Sequence, residues 1–438
     1  MFSSLHRKFA AVRTKVDGPA ARRPRRSRPV LETLEGRQLL STLGGETQVN
    51  PITADKTFSS ATASSSNGSS VVVWVDDYLN SGDTDIWAQR YDATGAKVGS
   101  AIQVDYTTAK SSNPNVAMDS QGDFVVTWVN RTSASDPHGE VMARYFTAGG
   151  IAATDPFRVY YQQTTPLPPD TNTDHPVVAM NNNSFVVAFE FYGQGPHGLQ
   201  SDILADRYTV TPGPSLPVIH PLSYSQDNLR ITVAVEADQN FTHPSIAMSP
   251  SGYFDIAYQN QSVFGGASNV QDNRYFFTGA LEAHYQISNS GENAQHPAVA
   301  RDNLGNAVVV FEKLVGSDYG IYARRINSAD VLGSSEMLVR DVAGVNENNP
   351  SVAMEPSGGI GGGRFVVAYD TLNSQGSSAV EVAVISSQSS GNVRTAVLGG
   401  FDGFESNISM DASGNFQVTY TRQTGTSKTD VFLRRGTL

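Results

Sequence analysis

Short, unbroken apolar runs recur along this chain, each closed off by turn-forming residues; Val71–Val75 and Phe365–Tyr369 are clear examples. A run that is too short for a helix and lacks polar alternation fits a strand buried on both faces. Each run follows a second phrase, best preserved as Pro114-Asn115-Val116-Ala117-Met118, then Asp119 to Gly122, then Phe124–Trp128. The pair of phrases occurs at Ser60, Pro114, Pro176, Pro244, Pro297, Pro350 and Ser406. Successive copies lie 53 to 68 residues apart.

Each copy predicts four strands. Strand A is the Pro-x-Val-Ala-Met phrase, and an Asp/Asn and Gly turn such as Asp302 to Gly305 or Asp411 to Gly414 leads into strand B, as tight hairpins require. Strand C carries an Ala-x-Arg-Tyr phrase (Ala88 to Tyr91, Ala205 to Tyr208), and strand D follows another short turn, as in Ala101–Val104. Copies 3 and 6 are the degenerate ones, with Val384 where the arginine is expected in copy 6. Four antiparallel strands in each repeat of this length predict an all-β fold, a seven-bladed β-propeller. Solenoid coils are shorter, and separate sandwich domains need about 100 residues each.

The ends of the chain supply an independent clue. The last copy stops at Leu438, after its strand C, while Gly44–Asn50 near the start matches the strand D phrase Gly99–Asp105. The ring is therefore predicted to be closed by an N-terminal strand, with Glu46–Asn50 pairing near Val431–Arg435. Closure removes both sheet edges.

Composition and charge divide the chain in two. Residues 1–45 hold ten Lys/Arg and three acids, a net +7, whereas the whole chain is −11. A basic tail over 1–45 and a repeat domain over 46–438 follow from this split. Prolines and clustered arginines in Gly18–Pro29 predict a tail that does not pack. The acidic body repels phosphate backbones, which argues against nucleic acid as its ligand. With no cysteine, disulfides, thiolate metal sites and cysteine nucleophiles are excluded. No run reaches the roughly 18 apolar residues of a membrane span, and Phe9–Val12 is too short for a signal-peptide core. The expected state is a monomer.

Leu31-Glu32-Thr33-Leu34-Glu35-Gly36-Arg37-Gln38-Leu39-Leu40-Ser41 resembles the LE-x-LE-x-R-x-LLS element near the N-termini of many large planctomycete surface and secreted proteins. That resemblance implies export or sorting, and hence a secreted or cell-surface location. The phrases Ala88-Gln89-Arg90-Tyr91-Asp92 and Pro114–Trp128 are similar to repeats of long bacterial surface proteins. No established activity comes with that likeness.

Candidate chemistry is sparse. His175-Pro176, His243-Pro244 and His296-Pro297 open strand A in three consecutive copies and should sit side by side at one mouth of the axial channel. Three imidazoles are enough to ligate zinc, but Asn113 and Asn349 hold the same place elsewhere, so a shared hydrogen-bonding or capping role is simpler. Asp76 to Asp85 is an oxygen-rich loop of the kind that can hold calcium, although it lacks an EF-hand register; a solvated loop is the simpler account, and no cofactor is expected. The recurring Arg90, Arg144, Arg207, Arg274, Arg324 and Arg434 are expected to bridge adjacent blades.

The B–C and D–A loops vary most: Phe191 to Asp202, Tyr160 to Asp174, and Tyr224 to Phe241. Variable loops over a rigid frame are where function tends to sit. Tyr78, Tyr161, Tyr192 and Phe264 are the aromatic candidates on that face, able to stack on a sugar or a partner. The expected function is non-catalytic binding of a glycan or protein. Two alternatives are a glycan-active hydrolase or lyase on the same scaffold and a purely structural envelope component. An enzyme should gather two or three acids with shifted pKa values in one axial pocket.

Overall fold

The computed structural model describes residues 43–51, 56–77, 82–106, 110–131, 139–159, 172–213, 216–221, 231–358, 363–387 and 393–438. The fold is a seven-bladed β-propeller, each blade an antiparallel sheet whose strands run A to D from the axis outward. In blade 1 these are Lys56–Ser64, Ser70–Asp77, Thr84–Tyr91 and Lys97–Gln103. The inner A strands of the other blades are Lys110–Met118, Asn172–Asn181, Gln239–Met248, Ala294–Arg301, Val345–Met354 and Phe404–Met410. Each touches the A strand of both neighbouring blades, so the seven line the axis. Among the described residues no helix is long and apolar enough to cross a membrane.

The apolar B strands behave as their sequences demand. Val71 through Val75 are all fully buried, because alternate side chains enter the seams on either side of the blade. The core is accordingly divided into seven clusters, one per seam.

Closure occurs where the repeats placed it. Thr47–Gln48 is the outer strand of blade 7 and pairs with Leu433 and Phe432. The Gly44 N–H donates to the Arg435 carbonyl at 2.7 Å and the Val49 N–H to Val431 at 2.8 Å. Val49 is buried against Val72, Trp74, Tyr91, Val431 and Leu433, which belong to blades 7 and 1. The Asn50 side chain donates to Asp430 at 2.9 Å and accepts from the Val431 N–H at 3.0 Å.

Three sequence expectations need correction. First, the His-Pro pairs do not open strand A. His175 lies inside Asn172–Asn181, His243 inside Gln239–Met248 and His296 inside Ala294–Arg301, each at a break in the pairing register. Pairing with strand B resumes upstream of the proline, because a bulge absorbs the misfit. Second, Phe191 to Asp202 is not an irregular loop. Strands Ser184–Gly195 and Gly198–Thr211 pair to their ends and project as a hairpin. Ile231–Ala234 adds a fifth strand to that sheet, pairing with Gly198–Thr211 as Val218–Pro221 also does. Third, the recurring arginines do bridge adjacent blades as expected, but from two adjacent strand C positions instead of one. Arg90, Arg207 and Arg274 pair with Val71, Val186 and Asp255, as does Arg325 with Val308 and Arg435 with Gln417. Arg144, Arg324 and Arg434 stand one residue earlier. A one-residue offset sends the side chain to the other face. The first group therefore reaches forward: Arg90 donates to Ala148, Arg207 to Thr278 and Arg435 to Ala93, each in the next blade. The second reaches backward, Arg144 to Val104 and Arg324 to Ile287.

Candidate functional site

The bulges on strand A make a ring. In all seven blades one residue there has a left-handed backbone: Ser59, Asn113, His175, His243, His296, Asn349 and Glu405, with φ between 45° and 55°. Asn and His are enriched among non-glycine residues that tolerate this region, which gives the histidines a conformational reason to be present. Opposite each bulge, strand B places a buried aromatic: Trp74, Trp128, Phe189, Tyr258, Phe311, Tyr369 and Tyr420.

In three blades the residue after that aromatic ties the ring to the next blade. In blade 3 it is Glu190, whose carboxylate accepts the His243 N–H of blade 4 at 2.6 Å. In blade 5 it is Glu312, which accepts the Asn349 N–H of blade 6 at 2.7 Å. In blade 6 Asp370 takes the Glu405 and Ser406 N–H groups of blade 7 at 2.7 and 3.2 Å. Between blades 7 and 1 the ring residue Glu405 itself accepts the Ser59 N–H at 2.8 Å. Each is a charge-assisted bond to a backbone donor that the bulge leaves without a ladder partner.

In two of the three blades whose ring residue is histidine, the same carboxylate binds the imidazole. His175 Nδ1 lies 3.1 Å from Glu190 and His296 Nδ1 2.8 Å from Glu312. The three imidazoles touch in series, with centroids 5.5 Å apart for His175–His243 and 4.3 Å for His243–His296. They thus sit side by side at the mouth on the B–C and D–A side. The side chains of His175 and His296 are 44% and 33% exposed over carboxylates that are 1% exposed. The ring is wet above and anchored below.

His243 and His175 are shifted in opposite directions. Burial, then the neighbouring His296, pushes His243 down to about 4, so it is neutral at neutral pH; its buried Nδ1 has no hydrogen-bond partner. Burial also opposes protonation of His175, but the bond and charge of Glu190, with help from Asp174, raise it overall. Glu190 is lowered in turn, since bonds from His175, Tyr192 and the His243 N–H outweigh its burial.

Of the aromatic candidates, Tyr192 is half-buried, with its hydroxyl donating to Glu190. Phe264 is 72% exposed and rests edge-on against His197 at 5.0 Å, itself 2.8 Å from Asp238. Tyr78 and Tyr161 lie outside the described residues, as do residues 78–81 of the acidic loop and residues 160–171 and 224–230 on the variable side. At the described base of the acidic loop Asp77 accepts the Gly82 N–H at 2.7 Å. Among the described residues no group of three His, Asp or Glu converges to hold a metal ion.

The latch carboxylates went unnoticed in the sequence, although an acid or amide follows the aromatic in Glu190, Gln259, Glu312 and Asp370. Two enclosed acids of blade 6 are raised by burial, Glu347 to about 7 and Asp370 to about 6.

No protein-family model matches the sequence, and no curated protein sequence matches it. Solved structures do. A protein of unknown function from Dyadobacter fermentans superposes with a TM-score of 0.51 at 8% identity, over 91% of this chain and 99% of that one. An alpha-L-arabinanase from Penicillium chrysogenum gives 0.45 at 12%, over 75% and 93%. A sialidase from Trypanosoma rangeli gives 0.47 at 10%, over 90% of this chain and 60% of its own. The likeness is one of fold.

Proposed function

We propose that this protein is an exported binding propeller, which holds a glycan or protein ligand at the histidine-lined mouth without catalysis. One observation carries the reading: the carboxylates beneath that mouth are engaged as latches between blades, whereas the imidazoles above them stay open to solvent. A carboxylate that fixes a backbone donor cannot also move to a substrate. A rim of imidazoles held in fixed orientations presents hydrogen bonds without further ordering cost, and that favours affinity. Export rests on the +7 tail and the Leu31–Ser41 element. A reporter fused to residues 1–45 should leave the cytoplasm of a related host.

The test is a glycan and protein array probed with the full chain and with His243→Ala. A ligand lost in the variant supports the reading. Turnover of any arrayed polysaccharide that disappears in Glu347→Gln would replace it with the hydrolase or lyase alternative.

A further inference from the structure

On the opposite face, where the A–B and C–D turns lie, the seam between blades 4 and 5 departs from the repeat at several positions together. Turns elsewhere use a side chain to hold their own backbone. Asp92 accepts the Thr94 and Ala96 N–H groups at 2.9 and 3.0 Å, and Asn327 accepts those of Ala329 and Val331 at 2.9 Å each. Blade 4 has Phe276 at that place, bonded to Ala280 and Gly279 through backbone alone. Asp123 and Asn306 reach across to the Ala148 and Ser328 N–H groups at 2.7 and 2.9 Å. In blade 4 their counterpart is Tyr253, and the residue across from it is Phe277.

These substitutions give up turn bonds and expose apolar area. Phe276 and Phe277 are 37% and 55% exposed, and Leu304 in the A–B turn of blade 5 is 61% exposed. The Tyr253 ring lies 5.9 Å from Phe276 and 6.0 Å from Phe277, steeply tilted to both. Grouped exposed apolar side chains mark a contact surface.

Tyr253 also forms part of the wall of an adjoining pocket of about 210 Å³, whose other walls include Arg274, Glu282, Arg301, Leu304 and Asp330. The polar wall is rigid. Arg274 donates to Asp255 at 2.8 Å and Asp330 at 2.6 Å, and Arg301 donates to Asp255. Asp255 itself stands where five other blades have Val71, Val125, Val186, Val308 and Val366 and blade 7 has Gln417. The Arg274 side chain is 1% exposed, and its Nη2 has no hydrogen-bond partner.

We propose that this seam is a second binding site, separate from the histidine mouth, and that it takes an uncharged sugar ring. A pyranose offers an apolar C–H face and a rim of hydroxyls. An aromatic platform beside fixed donors and acceptors matches both. Neutrality follows from the charges. Asp255 and Asp330 already answer the two guanidiniums, and Glu282 adds a further acid, so an anionic sugar would meet uncompensated carboxylate.

The experiment is calorimetric titration of the full chain with cello-, xylo-, manno- and laminari-hexaose, and with an oligogalacturonate as the anionic counterpart. At least one neutral oligosaccharide should bind. Phe277→Ala and Tyr253→Ala should each weaken it about tenfold, the loss of a stacked ring, with the melting curve of Phe277→Ala unchanged. His243→Ala should leave it intact. The proposal is overturned if no neutral oligosaccharide binds, if the oligogalacturonate binds more tightly, or if the aromatic variants bind as the parent does. Binding abolished by His243→Ala but not by Phe277→Ala would favour the mouth and overturn the seam.

Discussion

Asn50 is the point at which the ring can be tested with a single substitution. It is 2% exposed, and its amide makes two buried bonds across the closure, to Asp430 and from the Val431 N–H. Asn50→Ala strands both partners. The Val431 N–H loses its acceptor outright, while Asp430 keeps Thr424 at 2.6 Å and Lys428 at 3.3 Å on its other oxygen. An unsatisfied buried donor costs about 1–3 kcal/mol, and losing a bond to a charged acceptor costs a similar amount. The expected destabilisation is therefore about 3 kcal/mol, close to what a large core truncation does. Urea denaturation followed by far-UV circular dichroism reads it as a lower midpoint at constant slope. A second arm shortens the chain. A variant beginning at Leu43 retains every closure contact among the described residues and should unfold like the parent in the same assay. One beginning at Ile52 loses Val49 and the Thr47–Gln48 strand and should unfold earlier still or aggregate through the bared edge. If Asn50→Ala costs less than about 1 kcal/mol and the two shortened chains unfold alike, the closure is not what holds blades 7 and 1 together.

Asp272→Ala should stabilise the protein. Burial, then the charge of Asp255, raises this carboxyl well above its usual range, and neither oxygen has a hydrogen-bond partner. Relieving it is worth about 1–3 kcal/mol, against about 1 kcal/mol for the space left behind. A group whose folded pKa is raised binds more protons folded than unfolded once the pH passes its unfolded value, so its cost grows as pH rises. The gain should be larger at pH 7.5 than near about pH 4, and a loss at pH 7.5 would mean that Asp272 serves the arginines as an anion. Glu312→Ala should cost about 3 kcal/mol, because it strands the Asn349 N–H and frees His296 and Gln295. Glu312→Gln, which keeps an acceptor, should lose less than half as much in the same urea titration; equal losses would argue against the latch.

The sequence revealed whatever the repeat states seven times. Blade number, strand order and the swapped closing strand followed from self-similarity, since each blade must bury the same two faces. What stayed hidden depends on register at a single residue. Proline disfavours the α region in the residue before it, so His175, His243 and His296 read as the start of an extended strand rather than as the left-handed residue of a bulge. Arg144 and Arg90 belong to phrases that look alike, yet Ala143-Arg144-Tyr145 is one residue shorter than Ala88 to Tyr91, which sends the two side chains into opposite seams. Asp255, Asp272 and Tyr253 were passed over for the converse reason. They are departures from the repeat, visible only after the repeat has been aligned by its pairing and not by its motif.

The closing strand also fixes how the ring responds to force. Because Gly44 bonds to Arg435 while Val49 bonds to Val431, the propeller begins and ends at the same rim of blade 7. Tension applied between its two ends does not load the closing bonds in parallel. It meets them one after another, starting at Gly44, as a zip opened from its end. A protein tethered at its N-terminus and dragged by its C-terminus would part at this seam under small loads. The same ring loaded across other blades would resist until whole sheets slide.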